Sequence, residues 1–193
     1  MTATPEYSRP VEILPASWTQ VAGRISVALG ASAAFAAAGA LGGVGMVQWV
    51  LAAVVAAFGV WLAVWDFREH RLPNAIVFPL YGVVGAALAV LGAFTGDWGR
   101  VGLAVAGGVI LWCVYFGLGL AGAVGFGDVK LAGALGAWLA WFGLPILIPA
   151  TILAYLLALP HTLVILARRR GGRVPFGPYM IAGALIAGIA STV

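Results

Sequence analysis

Charged residues are what this sequence has least of. Only 8% of its 193 residues are Asp, Glu, Lys or Arg, whereas 63% are hydrophobic. An average soluble domain carries roughly a quarter charged residues, so this composition excludes a soluble globular domain and indicates a polytopic membrane protein. The formal net charge of +4 is then explained by charge asymmetry between loops, and no nucleic-acid partner is expected.

Cysteine is almost absent as well. Cys113 is the single cysteine of the chain, which excludes an intrachain disulfide and a cysteine-based zinc site. Because no His and Cys residues have the spacing of metal ligands, we predict neither a metal nor a cofactor. The first 20 residues lack the apolar run that a cleavable signal peptide requires.

What the sequence does contain is long uncharged runs. Residues 25–65 and 131–167 hold 41 and 37 residues without a formal charge, and each run is long enough for two spans of about 20 residues. Glycine, tryptophan and proline predict the breaks, at Gly42–Gly45 and at Trp141–Pro145. Three further uncharged runs hold one span each: 72–96, 101–127 and 176–193.

The sequence therefore predicts an all-α fold, a polytopic transmembrane helix bundle of about seven spans. We divide it into an N-terminal cytoplasmic tail (1–23), an extra transmembrane helix (24–44) and a core of six spans (45–193). Alternating loops put nine basic residues on one side of the membrane and Arg100 alone on the other. The basic side is cytoplasmic by the positive-inside rule, and its residues are Arg9, Arg24, Arg68, Arg71, Lys130, Arg168, Arg169, Arg170 and Arg173.

Two acids lie at the ends of spans, Asp66 after the second and Asp128 at the start of the fifth. Two spans separate them, so both fall on the cytoplasmic face. A charge at bilayer depth costs about 2.5–3.5 kcal/mol, which calls for a function, and two neighbouring carboxylates suit acid–base catalysis. The structural alternatives are a helix N-cap for Asp128 and an ion pair with Arg68 or Arg71 for Asp66.

The span after Asp128 is also short. From Asp128 to Phe142 there are 15 residues, or about 22 Å of helix, against a hydrocarbon core of about 30 Å. We therefore predict that this helix starts below the membrane surface. The glycine-rich loop before it would then reach into the protein, because irregular backbone at that depth must be buried in protein or line water.

Three motifs in order resemble the prepilin peptidase family. Gly125-Phe126-Gly127-Asp128 looks like its Gly-x-Gly-Asp signature, and Asp66 followed by Pro73-Asn74 looks like its first aspartate motif. Residues 174–179, Val-Pro-Phe-Gly-Pro-Tyr, resemble its Pro-Phe-Gly-Pro stretch. Together the motifs cover the chain from Asp66 to its last residue.

The resemblance implies an aspartic endopeptidase in the bacterial cytoplasmic membrane, with its active site on the cytoplasmic side. It would remove the basic leader of type IV prepilins, including those of the Flp or tight-adherence type. The implied catalytic residues are Asp66 and Asp128. The implied substrate-binding or loop residues are Glu69, Pro73, Asn74, Gly125, Gly127 and Lys130.

One feature departs from the long form of that family, which carries paired Cys-x-x-Cys motifs linked to metal binding and N-methylation. With one cysteine, this chain resembles the short form, and no methyl transfer is assigned. Two other functions stay open at this point: an ion- or proton-coupled transporter, and a non-enzymatic membrane subunit of a pilus or secretion machine. The oligomeric state and the identity of the prepilin are not predicted.

Overall fold

The structure, a computed structural model, describes residues 40–62, 74–167 and 174–191 together with positions 34 and 37, with only the backbone of residues 74–76. This described part is all-α, with six helices, one short 3₁₀ turn and no strand. The helices are α1 (Ala40–Leu62), α2 (Asn74–Thr95), α3 (Trp98–Leu120), α4 (Phe126–Ala140), α5 (Leu147–Ala167) and α6 (Gly177–Ala190), with the 3₁₀ turn at Leu144–Ile146.

Four of these segments are long and apolar enough to cross a membrane. They have mean hydropathies of 2.0 to 2.1 and lie at Ala40–Leu62, Val77–Thr95, Trp98–Leu120 and Leu144–Ala167. Large apolar side chains cover their outer faces, as a lipid environment requires, and examples are Leu103 and Val109 on α3 and Ile148 and Leu163 on α5. The predicted all-α membrane bundle is confirmed.

The expected helix at 24–44 lies mostly outside the described residues, so the count of seven spans stays a prediction. The break expected at Gly42–Gly45 falls inside α1, which is already helical at Ala40. Gly43 has φ +67° there, in the left-handed region that glycine tolerates and other residues avoid. The expected break between two spans is therefore not seen in the described residues, where the helix continues through Gly42–Gly45.

The other two breaks fall where the sequence predicts them. Asp97 caps α3, and its carboxylate accepts a hydrogen bond from the Arg100 N–H at 2.9 Å, which satisfies one of the unpaired donors of a helix start. Between α4 and the 3₁₀ turn, Gly143 has φ +116°, and such a conformation is restricted almost entirely to glycine. The uncharged run 131–167 therefore holds two helices, as expected.

Glycine also lets α3 and α4 pack closely side by side. A Cβ added at Gly108 would lie 2.8 Å from the Gly133 carbonyl oxygen, and one added at Gly136 would lie 2.8 Å from the Gly107 oxygen. Any larger residue would push the two backbones apart, which is the usual reason for small residues at helix contacts in membranes. This antiparallel pair puts the end of α3 beside the start of α4.

Helix α4 lies at the centre of the bundle, in contact with α2, α3 and α6. Its side chains are buried around the whole circumference, for example Leu131, Leu135 and Trp138. A helix that is apolar on all sides is typical of a buried core position. The residue at its first turn, Asp128, is therefore carried into the interior by the helix that has the least contact with lipid.

Candidate active site

Asp128 is the third residue of α4, so it is not the N-cap itself. The cap is Gly125, whose carbonyl oxygen accepts the Asp128 N–H at 3.0 Å and whose own N–H donates to Asp128 Oδ2 at 3.3 Å. A carboxylate in the first turn is favoured by the positive end of the helix dipole. Asp128 therefore does part of what an N-cap does, although it lies in the first turn of the helix. Only one of its carboxylate oxygens, Oδ2, takes part in this hydrogen bond.

Asp128 is the one buried charged side chain in the part of the chain that the structure describes, with 7% of its surface exposed. Burial of an ionised carboxylate is unfavourable unless the site stabilises the charge. A simple cap does not need burial, because caps on solvated helix starts work equally well. The burial is therefore the property of Asp128 that the helix start does not explain.

Three aromatic side chains from α3, α5 and the start of α6 pack together, and we call them the aromatic trio: Tyr115, Tyr155 and Phe176. The Phe176 ring is 4.8 Å from that of Tyr155 and 6.3 Å from that of Tyr115, centroid to centroid. Both tyrosines are close enough to interact electrostatically with Asp128. Because Phe176 belongs to the 174–179 motif, the fold brings the second and third motifs together.

The start of α2 lies at the same end of the bundle. The Tyr81 hydroxyl donates to the Lys130 carbonyl oxygen at 2.6 Å, and Lys130 Nζ lies 5.9 Å from the centre of the Phe78 ring. Helix α2 is antiparallel to α3, because only residues 96 and 97 connect them, and α3 is antiparallel to α4. Helix α2 therefore runs parallel to α4, and its first residue, Asn74, is at the Asp128 end. The first motif leads directly into this helix, but Asp66, Glu69, Pro73 and the side chain of Asn74 lie outside the described residues.

The loop glycines behave differently from one another. Gly122 has φ +75°, whereas Gly125 is extended, with φ −76° and ψ 149°, and Gly127 lies inside α4. The need for a left-handed conformation therefore applies to Gly122 and not to the two glycines of the motif. Gly125 matters for space, because a Cβ there would lie 3.3 Å from Asp128 Oδ2.

The register of the helices places Asp128 well inside the bundle. A Cβ at Gly188 of α6 would lie 3.0 Å from the Trp138 ring of α4, and one at Gly183 would lie 2.7 Å from the Ala150 carbonyl oxygen of α5. Taken together, these contacts put Asp128 level with the start of α6 and with the middle of α5. The remainder of α5 extends about ten residues further, or roughly 15 Å. This supports the prediction of a recessed site.

Below the aromatic trio, an apolar cleft separates α3 from α5. It is a shallow, half-open cleft lined by Leu111, Tyr115, Leu135, Leu139, Ala150, Thr151, Ala154, Met180 and Ala184. At the same end of the bundle, His161 Nδ1 and the Tyr179 hydroxyl are 2.8 Å apart and join α5 to α6. Within the described ranges no group of three or more His, Cys, Asp and Glu residues could hold a metal ion.

Sequence reasoning missed Tyr115 and Tyr155, and it gave Phe176 no role. Each tyrosine carries a hydroxyl group within a run of apolar residues, and such a group needs a hydrogen-bond partner in a membrane. That rule could have identified the two tyrosines as candidate site residues, but not as neighbours of Asp128. Their proximity results from helix packing, because 13 positions separate Tyr115 from Asp128 and 27 separate Tyr155 from it.

Residues 53–163 match the sequence profile of the type IV leader peptidase family. The chain is 34% identical over 140 residues to the prepilin leader peptidase/N-methyltransferase of Escherichia coli (strain K12), covering 65% of this chain and 56% of that protein. For the protein of the same name from Pectobacterium carotovorum subsp. carotovorum the identity is 35% over 156 residues, covering 78% of this chain and 54% of that one.

A third protein of that name, from Aeromonas hydrophila, is 33% identical over 143 residues, which cover 72% of this chain and 46% of the relative. The chain thus spans about half the length of the curated relatives it matches. No solved structure matches it. The relatives' names favour neither a transporter nor a non-enzymatic subunit.

Proposed function

Since the chain belongs to the type IV leader peptidase family, we propose that it is an aspartic endopeptidase that cleaves the leader peptide of prepilins. The observation that carries the proposal is Asp128, a carboxylate buried at the start of a central helix and within electrostatic range of two tyrosines that pack against Phe176 of the third motif. The methyltransferase activity in the relatives' names forms no part of the proposal.

The proposed catalytic pair is Asp128 with Asp66, the acid of the first motif. Support comes from α2, which begins eight residues after Asp66 and contacts α4 near its start, through the Tyr81–Lys130 hydrogen bond. Two adjacent carboxylates cannot both ionise readily, so they share a proton and titrate as a pair. Two groups in opposite protonation states are what a hydrolysis with a general base and a general acid requires.

In the proposed reaction, the ionised aspartate removes a proton from a water molecule, and the water oxygen bonds to the scissile carbonyl carbon. The protonated aspartate donates a hydrogen bond to the carbonyl oxygen and stabilises the charge that develops there. The C–N bond then breaks, and a proton passes to the departing amine. No covalent enzyme intermediate is needed, and either aspartate can take either role.

The substrate we propose is a prepilin of the type IV or Flp type, whose apolar segment lies in the bilayer with its basic leader at the cytoplasmic face. Glu69 would attract the leader, and Gly125 and Gly127 would leave space for the chain near Asp128. Lys130 would hold the start of α4 at this face through its contacts with Phe78 and Tyr81. We place the protein in the bacterial cytoplasmic membrane with this face inside.

Co-expression with candidate prepilins tests the activity. A shift in the gel mobility of the prepilin is expected with the unaltered enzyme, and we expect Asp66→Asn and Asp128→Asn each to abolish it while the protein still accumulates in membranes. Asp97→Asn is the matched control, since Asp97 is exposed at the opposite end of the bundle. Processing by either of the first two variants would exclude that aspartate from catalysis.

Cysteine labelling tests the orientation. In a Cys113→Ser background, single cysteines at positions 70 and 97 should react with a membrane-impermeant reagent from opposite sides of the membrane. A cysteine at position 97 should react in intact cells, and one at position 70 only after the membrane is permeabilised. Labelling of both positions from the same side would refute the proposed topology.

A further inference from the structure

The tyrosines of the bundle differ in what their hydroxyl groups do. The described part of the chain contains four of them, and three face a polar partner inside the protein. Tyr81 donates to the Lys130 carbonyl oxygen, Tyr115 lies beside Thr151, and Tyr179 is paired with His161. Tyr155 is the exception, because its hydroxyl makes no hydrogen bond to any described residue.

The position of Tyr155 makes this exception informative. It is the ninth of the 21 residues of α5, near the middle of a membrane-spanning helix. Tyrosines that bond to lipid headgroups and interfacial water lie at the ends of spans, in the aromatic belts. A phenol at mid-span has no such partner, and an unmet donor in an apolar environment is unfavourable. Within the described part of the chain, the Tyr155 hydroxyl is therefore the tyrosine donor that is open to a polar group of a bound molecule.

The surroundings of Tyr155 indicate where that group comes from. The side chain is 42% exposed, so a second molecule can reach it. One face of its ring lies against Phe176 at 4.8 Å, and Asp128 is within electrostatic range. Tyr155 is thus the accessible tyrosine of the aromatic trio, whereas Tyr115 is 1% exposed and lies beside Thr151.

A peptide that is cleaved at Asp128 supplies the complementary group. A peptidase acts on an unwound segment, whose carbonyl oxygens have lost their helical partners and need donors at this depth. An ionised carboxylate is an acceptor only, whereas a phenol can donate. A site that holds an extended peptide beside two aspartates therefore needs a neutral donor close by.

We infer that Tyr155 is a substrate-binding residue whose hydroxyl donates a hydrogen bond to a backbone carbonyl of the prepilin next to the scissile bond. Phe176 supports its ring from behind and fixes its direction. The inference rests on the proposed peptidase function and adds a residue outside the three motifs. It assigns no role in proton transfer to Tyr155.

The first test compares Tyr155→Phe with Tyr155→Leu in kinetics on a purified prepilin. Tyr155→Phe keeps the ring on Phe176 and removes only the donor, so we expect kcat/KM to fall about 10- to 100-fold with an unchanged melting temperature. The shape of the pH profile should persist, because the aspartates are untouched. Tyr155→Leu should be at least equally impaired. Near-normal activity of Tyr155→Phe with loss in Tyr155→Leu would show that only ring packing matters and would overturn the inference.

The second test asks directly whether the substrate touches this position. In the Asp128→Asn background, benzoylphenylalanine at position 155 should crosslink to the prepilin on illumination. The matched control is position 156, since Leu156 is 56% exposed but points about 100° away around the helix. Equal crosslinking at both positions, or none at 155, would refute the assignment. Failure of the unaltered enzyme to cleave any prepilin would instead refute the proposed function.

Discussion

Asp97 and Asp128 both lie at the start of a helix, at opposite ends of the antiparallel pair α3 and α4. The Asp97 carboxylate caps α3, is 48% exposed and forms an ion pair with Arg100 at 3.5 Å. The Asp128 carboxylate accepts one backbone N–H of the Gly125 cap, is buried, and lies near two tyrosines. The same residue type with a similar local hydrogen bond thus occupies two very different environments.

The difference shows that helix-start chemistry does not account for both residues. Asp97 has what a cap needs: a backbone donor, a cationic neighbour and water. Asp128 has the backbone donor, but it is buried and lies near Tyr115 and Tyr155. Helix α5 extends roughly 15 Å beyond it. The environment of Asp128 is therefore organised around the carboxylate rather than around the helix end, and four substitutions can break or sharpen this comparison.

The largest effect is expected for Asp128→Asn in the purified enzyme. Loss of a member of a catalytic unit costs of order 10⁴ in kcat, whereas the neutral amide is easier to bury than a carboxylate. We therefore expect activity to vanish while the melting temperature in detergent stays level or rises. A melting temperature that falls together with activity would indicate that Asp128 is mainly structural.

A smaller effect on activity is expected for Gly125→Ala. Its methyl group would lie 3.3 Å from Asp128 Oδ2, so the carboxylate must shift by a few tenths of an ångström, and we expect kcat/KM to fall about tenfold. Gly122→Ala is the matched control in the same loop. Its φ of +75° predicts a loss of about 1 kcal/mol in stability with kcat/KM retained. If Gly122→Ala lowered kcat/KM and Gly125→Ala did not, then Gly122 and not Gly125 would be the residue that positions the Asp128 carboxylate.

The close contact between α3 and α4 fixes how these two helices are aligned, and Gly108→Ala in α3 tests it. The added methyl would lie 2.8 Å from the Gly133 carbonyl oxygen, and overpacking of this kind costs about 1–3 kcal/mol. Gly117→Ala in the same helix has open space around it and should be neutral or stabilising by up to about 1 kcal/mol. Thermal unfolding in detergent measures both, and equal effects would mean that the close α3–α4 contact is not required.

The smallest effect is expected for Asp97→Ala. Removal of an N-cap costs about 1 kcal/mol of stability, and it should leave the geometry of the Asp128 site at the other end of the bundle unchanged. We expect a slightly lower melting temperature and unchanged prepilin cleavage, with Asp97→Asn close to the unaltered protein because asparagine caps equally well. A loss of cleavage in Asp97→Ala would mean that the two ends are coupled.

Much of the fold was predictable because it follows from composition and from the lengths of uncharged runs. The runs 72–96 and 101–127 became α2 and α3, and the turn at Trp141–Pro145 was expected from its residues. Asp128 was predictable as a site residue because a carboxylate in an apolar chain is costly. The separate roles of the loop glycines were not predictable, since left-handed backbone is found at Gly122 and not at Gly125.

By itself, then, the sequence determined that the chain is a helical membrane protein, where most helices begin and end, and which acid needed a function. Hydrophobicity and turn chemistry are local properties, so a linear sequence displays them. Only the tertiary structure decided that Tyr115 and Tyr155 lie near Asp128 and that Phe176 packs against both tyrosines. It also decided that α4 is enclosed by other helices and that α5 extends past the site. Those relations depend on which faces of helices meet, and uniformly apolar helices carry no periodic pattern from which their faces could be predicted.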